Sequence, residues 1–446
     1  MRVRVFKTLD RIRSSFWFLP ATMVSGAIVL AFATVALEKP LTAWLTLNWG
    51  LTFTGGADGA SSLLGAIAGS MITIAGVVFS MTLVTLSLAS SQLGPRLLRN
   101  FMRDTTTQVV LGAFVATFLY CLLVLRTIRR AEETLFVPHL SVSLGVLLAV
   151  VSVGLLIYFI HHVSVSIQAN EIVARVGQEL IEGMEQLFPE NIGRGAPRIP
   201  APPPNADFLD RFHREARPIR STADGYLQFV DGDALLDLAM QEDVVIRVER
   251  QPGHYVVATR PLALVWPGNK VTDQLMDRVN SAFALGNQRT SGQDIEFAVS
   301  ELVEIALRAL SPGLNDPFTA MTCVDRLGSA LCRLAQRDMP SPYRYDTQDQ
   351  LRIIAPVFTF PDVTDAAFNQ IRQYGRSSTA LTIRLLETIA EVAGSVHRSE
   401  DRVALLRHAS MIARGAGGGL PEYEDRQEVE KRFQAANRLL SEGAGS

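Results

Sequence analysis

Four runs without a single charged residue decide what this chain can become: Ser14–Leu37, Ser61–Ser90, Thr105–Leu125 and Leu140–Ile160. Each reaches about 20 residues, the length a helix needs to cross a hydrocarbon layer about 30 Å thick. A soluble core accommodates one such run; four within the first 165 positions predict four transmembrane helices. The first run follows a basic stretch but no small-residue cleavage site, and its apolar length exceeds that of a leader peptide, so it is expected to be a retained span.

Charge divides the chain at the same place. Residues 1–165 carry twelve Lys/Arg and six Asp/Glu out of totals of 42 and 44, which leaves thirty basic and thirty-eight acidic residues for 166–446. The net charge of −2 therefore hides a basic, charge-poor first part and an acidic second part. The balance gives no reason to expect nucleic-acid binding. Arg2, Arg4, Lys7, Arg11 and Arg13 precede the first span, and Arg96, Arg99 and Arg103 follow the second. The positive-inside rule then places both termini in the cytoplasm. Arg126, Arg129 and Arg130 after the third span run against this, partly offset by Glu132 and Glu133. Trp44, Trp49 and Phe53 lie between the first two spans. They read either as an aromatic-anchored surface loop or as an interfacial piece.

The second span is rich in small and hydroxylated residues. Gly69, Thr73, Gly76, Ser80, Ser87 and Ser91 recur at spacings of three, four and seven, which puts them on one helix face. Two readings stand. Small residues let helices approach closely, which predicts a helix–helix or oligomer interface. Hydroxyls that meet water or ions predict a pore-lining stripe. None of the four runs contains a charge, so a proton- or ion-coupled pump is not supported. Gly94-Pro95 is expected to end or kink the helix, and the arginines after it to anchor at headgroups. The fourth span reads as continuing unbroken into a long helix through Gly177. His161 and His162 sit at the membrane boundary as a polar cuff or, alternatively, a pH-sensitive gate.

Beyond a Pro-rich linker around APRIPAPPP (196–204), RPIRSTADGYLQFVD and VVIRVERQPGHYVVATRPLALVWP alternate like strands around a short helix capped by Asp231 or Asp233. The spacing of Gly253, Val256-Val257, Pro261 and Leu264-Val265 resembles the second half of a biotinyl/lipoyl-like sandwich, in fold only, since no lysine occupies the hairpin tip. VTDQLMDRVNSAFALG and SGQDIEFAVSELVEIALRAL read as helices, and a third begins near Pro317. LRIIAPVFTF (351–360) reads as a strand. Helices then run from about Asp362 to Glu442, broken by a Gly415–Gly419 turn. The string ALRALSPGLNDPFTAMTCVDRL has readable turn chemistry: Ser311-Pro312-Gly313 stops one helix, and Asp316 caps the next with Pro317 in its first turn. It reads as a rigid corner or, alternatively, as a polar ligand or ion site built from Asn315, Asp316, Arg289 and Asp294. Asp294, Glu301 and Glu304 share a helix face with Arg308 nearby, which favours ion pairs over a metal cage. Cys121, Cys323 and Cys332 lack metal-ligand spacing. Walker A, GxSxG, HExxH and Rossmann glycine patterns are missing, so no catalytic residue, metal or cofactor is expected.

The strings GVVFSMTLVTLSLASSQLGPRLLRNF, HHVSVSIQ, GYLQFVD and ALSPGLNDPFTA, in order along nearly the whole chain, resemble the bacterial predicted-membrane-protein family known as domain of unknown function 2254. The resemblance implies a multi-pass membrane protein with a cytoplasmic C-terminal region and carries over no catalytic residues.

The expected fold is an α-helical multi-pass membrane domain of four spans followed by a mixed α+β, mostly helical cytoplasmic domain. The expected boundaries are 1–165 for the membrane part, 166–195 for a helical extension and 196–217 for the linker. A small β-rich subdomain is expected over 218–268 and a mostly helical domain over 269–446. The expected role is an oligomeric inner-membrane channel or channel-like transport protein, whose partners are the lipid bilayer, further copies of the chain, and a small ion or a cytoplasmic protein. A non-transporting sensor or scaffold is the alternative.

Overall fold

Apolar runs with no polar face have one low-energy backbone in lipid, the helix, because it satisfies every N–H and C=O internally. The computed structural model describes residues 16–48, 53, 55–94, 104–129, 136–166, 168–188 and 203–442. Four apolar helices come first: α1 (Phe18–Asn48), α2 (Ala57–Leu93), α3 (Thr105–Leu125) and α4 (His139–Ser166). Each is long and apolar enough to cross a membrane. The mixed, mostly helical region follows. The chain divides into two compact units, one over Leu9–Gln168 and the other built on Ala169–Ser446.

In the first unit α3 is the central helix and packs on α1, α2 and α4. Ala27, Ala31, Ala60, Leu64, Ala68, Tyr120, Cys121, Val124 and Val142 form one core cluster. Met71, Ala75, Val78, Val110, Phe114, Phe159 and Val163 form a second. Asp104 caps α3 by accepting from the Thr106 and Thr107 backbone N–H at 3.2 and 3.4 Å. The loop expected between the first two spans is shorter than its composition suggests, because α1 continues to Asn48 and takes in Trp44. Trp49 lies outside the described residues, as do Arg96, Arg99 and Arg103.

The long unbroken helix expected after the fourth span is not formed. α4 ends at Ser166, Gln168 is non-helical, and α5 (Ala169–Leu187) starts anew. The hydroxyls of Ser164 and Ser166 bond back to the Ile160 and His162 carbonyls at 2.7 and 2.6 Å. Such back-bonding weakens a helix where it ends.

The second unit opens with α5, whose Ile172, Val173, Val176, Leu180 and Met184 form its buried stripe. Part of the expected linker is helical: α6 (Ala206–Glu215) is capped by Asn205, buries Phe212 and sets Phe208 edge-on against Trp266 at 5.3 Å. Next come β1 (Arg217–Arg220), β2 (Gly225–Val230), α7 (Gly232–Gln241, capped by Asp231), β3 (Val245–Val248), β4 (Tyr255–Val256) and β5 (Pro261–Trp266). α8 (Asp273–Ser281), β6 (Phe283–Gly286), α9 (Ile295–Ala309), α10 (Pro317–Ala335), β7 (Tyr343–Tyr345) and β8 (Leu351–Ile354) complete the mixed part. The strands make a five-stranded sheet, β1-β5-β3-β8-β7, and a three-stranded one, β4-β2-β6. β3 and β8 are parallel and the other pairs antiparallel.

This arrangement departs from the sequence expectations in three places. The β-rich part does not close at 268, because β6, β7 and β8 complete its sheets; the parallel pair and intervening helices also differ from a biotinyl/lipoyl-like sandwich. The helix read over VTDQLMDRVNSAFALG stops at Ser281, and Phe283–Gly286 pairs with β2 instead. Burial of Phe283 and Ala284 in that pairing outweighs local propensity. Finally, the strand read over 351–360 ends at Ile354, just before Pro356, which cannot donate to a ladder.

The chain closes with α11 (Phe360–Tyr374), α12 (Thr379–Ala393), α13 (Ser399–Gly419) and α14 (Tyr423–Glu442). The glycines of 415–419 do not form a break; they are the last turn of α13. A Cβ at Gly419 would lie 2.4 Å from the Arg376 carbonyl oxygen, so close backbone approach explains glycine there. The breaks fall instead at 375–378, 394–398 and 420–422.

α11 and α13 hold a buried histidine. His408 is fully buried, its Nε2 lies 2.6 Å from Asp365 Oδ1, and Phe368 packs edge-on against its ring. Burial pushes its pKa down, with Arg407 and Arg372 adding to this and Asp365 opposing it. A depressed imidazole pKa means that the unfolded chain takes up a proton the folded chain refuses. The corresponding stability is present above the ordinary histidine value of about 6.5 and is lost as pH falls through it toward the depressed value. Asp365 itself is held below the ordinary carboxylate range and titrates outside this window. Thermal unfolding of the detergent-solubilised protein should therefore lose Tm between pH 7.5 and 5.5, and His408→Gln should flatten that dependence. An equal slope in the two proteins would refute the assignment.

Candidate functional site

The small-residue stripe of α2 turns away from its own bundle. Ala57, Ala60, Ser61, Leu64, Ala68, Met71, Ala75 and Val78 are buried on this helix. At about 100° per residue, Gly69, Thr73, Gly76, Ser80, Ser87 and Ser91 fall on the opposite side, and all six are exposed. A Cβ built at Gly65, Gly69 or Gly76 meets nothing within 4 Å. Gly65, Ala66, Gly69, Ser70, Thr73 and Ile74 line an open groove there. From Gly69 to Ser91 is about 33 Å of helix, enough to run through the hydrocarbon layer.

Four hydroxyls on this helix bond to its own backbone. Ser70 donates to the Ala66 carbonyl, Thr73 to Gly69 and Thr82 to Val78, each at 2.8 Å. Ser91 donates to Leu88 at 2.9 Å.

Each end of the bundle carries a carboxylate at a helix N-terminus, where the helix dipole favours negative charge. At one end Asp104, already the cap of α3, lies 3.0 Å from His162 Nε2. The ring of His162 stacks on Tyr158. A cavity of about 40 Å³ opens beside them, lined also by Thr82, Thr85, Thr107 and Ser166. At the other end Glu38 is buried and accepts from the Leu140 N–H at 2.9 Å, at the start of α4. Near it the Tyr120 hydroxyl donates to the Ser141 carbonyl at 3.0 Å and lies 3.2 Å from Thr34 Oγ1. Phe53 is tied to the same helix start: its N–H donates to Ser143 Oγ and its carbonyl lies 2.6 Å from His139 Nδ1. Sequence reasoning missed Glu38 because it stands one position past the uncharged run. The available signal was a carboxylate within helical reach of that run, next to a lone lysine.

The four residues singled out in the second unit form two local arrangements. Arg289 grips Asp294 with two hydrogen bonds, Nε to Oδ2 at 2.7 Å and Nη2 to Oδ1 at 2.8 Å. Asp294 is 1% exposed and also caps α9 by accepting from the Phe297 N–H. Gly253, at φ +93°, closes over it: a Cβ there would sit 2.1 Å from Asp294 Oδ2. Burial lowers the pKa of neighbouring His254, assisted by Arg250 and Arg289. Asp316 caps α10 by accepting from the Thr319 N–H at 3.1 Å and accepts a hydrogen bond from the Thr319 hydroxyl as well, which holds the carboxyl below its ordinary range. Asn315 adopts φ +48° in the turn. The partners of Asp316 thus come from its own first turn, and those of Asp294 from Arg289 and α9. Glu304 lies 3.8 Å from Arg308, as an i,i+4 pair. Among the described residues no group of three His, Cys, Asp or Glu side chains is placed to hold a metal ion.

The comparisons agree with this architecture. Uncharacterized proteins of Mycobacterium bovis and Mycobacterium tuberculosis H37Rv are each 34% identical over 432 residues, covering 94% of this chain and 80% of their own. No solved structure matches. A family described as predicted membrane protein, domain of unknown function 2254, matches residues 13–391. With that match over most of its length and four helices long and apolar enough to span a membrane, the chain belongs to the predicted membrane protein family called domain of unknown function 2254.

Proposed function

We propose that this protein is an oligomeric channel-like transporter of the inner membrane, without catalytic chemistry. In this reading copies meet around the α2 stripe, a small ion is the transported species, and the C-terminal region is a cytoplasmic regulator. The observation that carries this reading is the uncovered stripe Gly69, Thr73, Gly76, Ser80, Ser87 and Ser91, opposite the packed side of α2. A face meant only for lipid is well served by large aliphatic side chains, as Val77 and Val84 provide beside it. A stripe of glycines and hydroxyls about as long as the hydrocarbon layer is thick suits either close helix contact or a polar path.

One observation favours the second reading, a sealed interface in a sensor or scaffold. Within the stripe the hydroxyls of Thr73 and Ser91 bond to their own helix and so have less need of water. Ion flux in proteoliposomes separates the two readings. A channel gives flux that Ser80→Leu and Ser87→Leu, which place bulk on the stripe, reduce severely. Flux that is absent, or indifferent to both substitutions, refutes the channel; cross-linking through Gly76→Cys then reports whether the stripe still joins two copies.

A further inference from the structure

The turn between α9 and α10 carries an apolar tip that the packing of the second unit does not use. Phe318 is 75% exposed, the highest value among the large hydrophobic side chains described, and Leu314 is 45% exposed. Pro312 and Gly313 beside them are exposed too. From Ala309 to Phe318 the only charge is Asp316, which is engaged as the cap of α10.

Where this tip lies follows from two independent registers on α5. α10 runs parallel to α5: Gly177 packs on the Arg326 side chain, Glu185 lies 3.6 Å from Arg333, and the Phe188 carbonyl accepts from Arg337. Continuing this register backward puts Phe318 level with Ala169. α9 runs the other way, with Gly183 against Ile295, so its last residue, Ala309, also falls level with Ala169. The loop between them therefore lies at or beyond the first turn of α5. That first turn begins three residues after Ser166, where α4 ends. Only nine positions separate Ile160, the end of the uncharged run, from Ala169: six along α4, about 9 Å, and three across the break after Ser166, at most about 11 Å. The tip thus lies level with the end of α5 that the chain ties, within these nine positions, to the apolar run of α4.

We propose that Leu314 and Phe318 insert into the lipid headgroup–acyl boundary at the membrane face where α4 emerges, so that the SPGLNDPF turn is a lipid-contacting anchor. Exposed apolar side chains on a turn whose one charge is engaged as a helix cap, close along the chain to the end of a spanning run, fit a lipid surface. The short Pro- and Gly-containing turn presents them rigidly, with the Asp316 N–H donating to the Ala309 carbonyl at 2.7 Å.

The test uses the full-length protein in phosphatidylcholine/phosphatidylglycerol vesicles with Phe318→Trp, each spectrum corrected for the native tryptophans. Arg333→Trp, on the same helix but about 22 Å further along it, is the control. The emission added at position 318 should be blue-shifted, should lose most of its intensity when the lipids carry brominated acyl chains, and should resist aqueous iodide. Position 333 should show the reverse. Leu314→Trp gives a second reading should the first variant fold poorly. Iodide quenching of 318 equal to that of 333 overturns the proposal by placing the tip in water. Blue-shifted emission that neither bromine nor iodide quenches overturns it by placing the tip against protein.

Discussion

Asp294→Ala is expected to destabilise the second unit by about 3–5 kcal/mol, the range for leaving half of a buried ion pair behind. The Asp294 carboxylate is 1% exposed, and its two oxygens meet Arg289 twice and the α9 N-terminus once. Removing it strands a largely buried guanidinium and uncaps a fifteen-residue helix, a loss of about 1 kcal/mol by itself. Gly253→Ala attacks the same spot from the other side, since its new methyl would collide with Oδ2 from a backbone at φ +93° that disfavours any side chain. Because the two substitutions act through one carboxylate, the double variant should be clearly less unstable than the sum of the singles. Chemical denaturation followed by circular dichroism measures all three. Strict additivity would show that Gly253 and Asp294 are not coupled.

The second large effect is expected at Phe360. Its ring is fully buried where α11 begins, beside a capping box in which Thr359 and Asp362 satisfy each other's backbone N–H. Phe360→Ala should cost about 3–5 kcal/mol through the cavity it leaves. Thr359→Ala should cost about 1 kcal/mol through the lost cap. Val403→Ala, at a site 66% exposed, should change little. A Phe360→Ala loss no larger than that of Thr359→Ala would mean that the surroundings collapse into the space.

Much of the architecture was legible because its causes are local. Uncharged length marks the four spans. Asp231 and Asp316 show their capping role in their position before helical patterns, whereas Asp294, which reads as one of a helix face, caps α9 instead. The failures share a different cause. FALG was read as helix because nothing local announces that β2 offers a partner. The Gly-rich end of α13 was read as a turn because a glycine needed for close approach to Arg376 looks the same in sequence as one needed for a bend. The α2 stripe shows the limit most clearly. In a soluble helix polarity separates the inner from the outer face. Beyond Asp58 in its first turn α2 carries no charge on either face, so periodicity identifies two faces, Ala60–Ala68–Ala75 and Gly69–Gly76–Ser80, without saying which meets the bundle. Only the packing of α3 against the first of them decides it.

The internal hydrogen bonds of α2 bear on how reversible any assembly would be. A helix face whose hydroxyls depend on a partner cannot leave it without stranding polar groups in oil. Ser70 and Thr73 already donate to a carbonyl one turn back, and Ser91 does so as well. These hydroxyls part from a neighbouring copy without that penalty, and lipid tails can take its place. Association along this stripe would then follow mass action in the plane of the membrane. The crowding of the chain in its bilayer, and the ease with which acyl chains fill the glycine groove, would set how much of it is assembled.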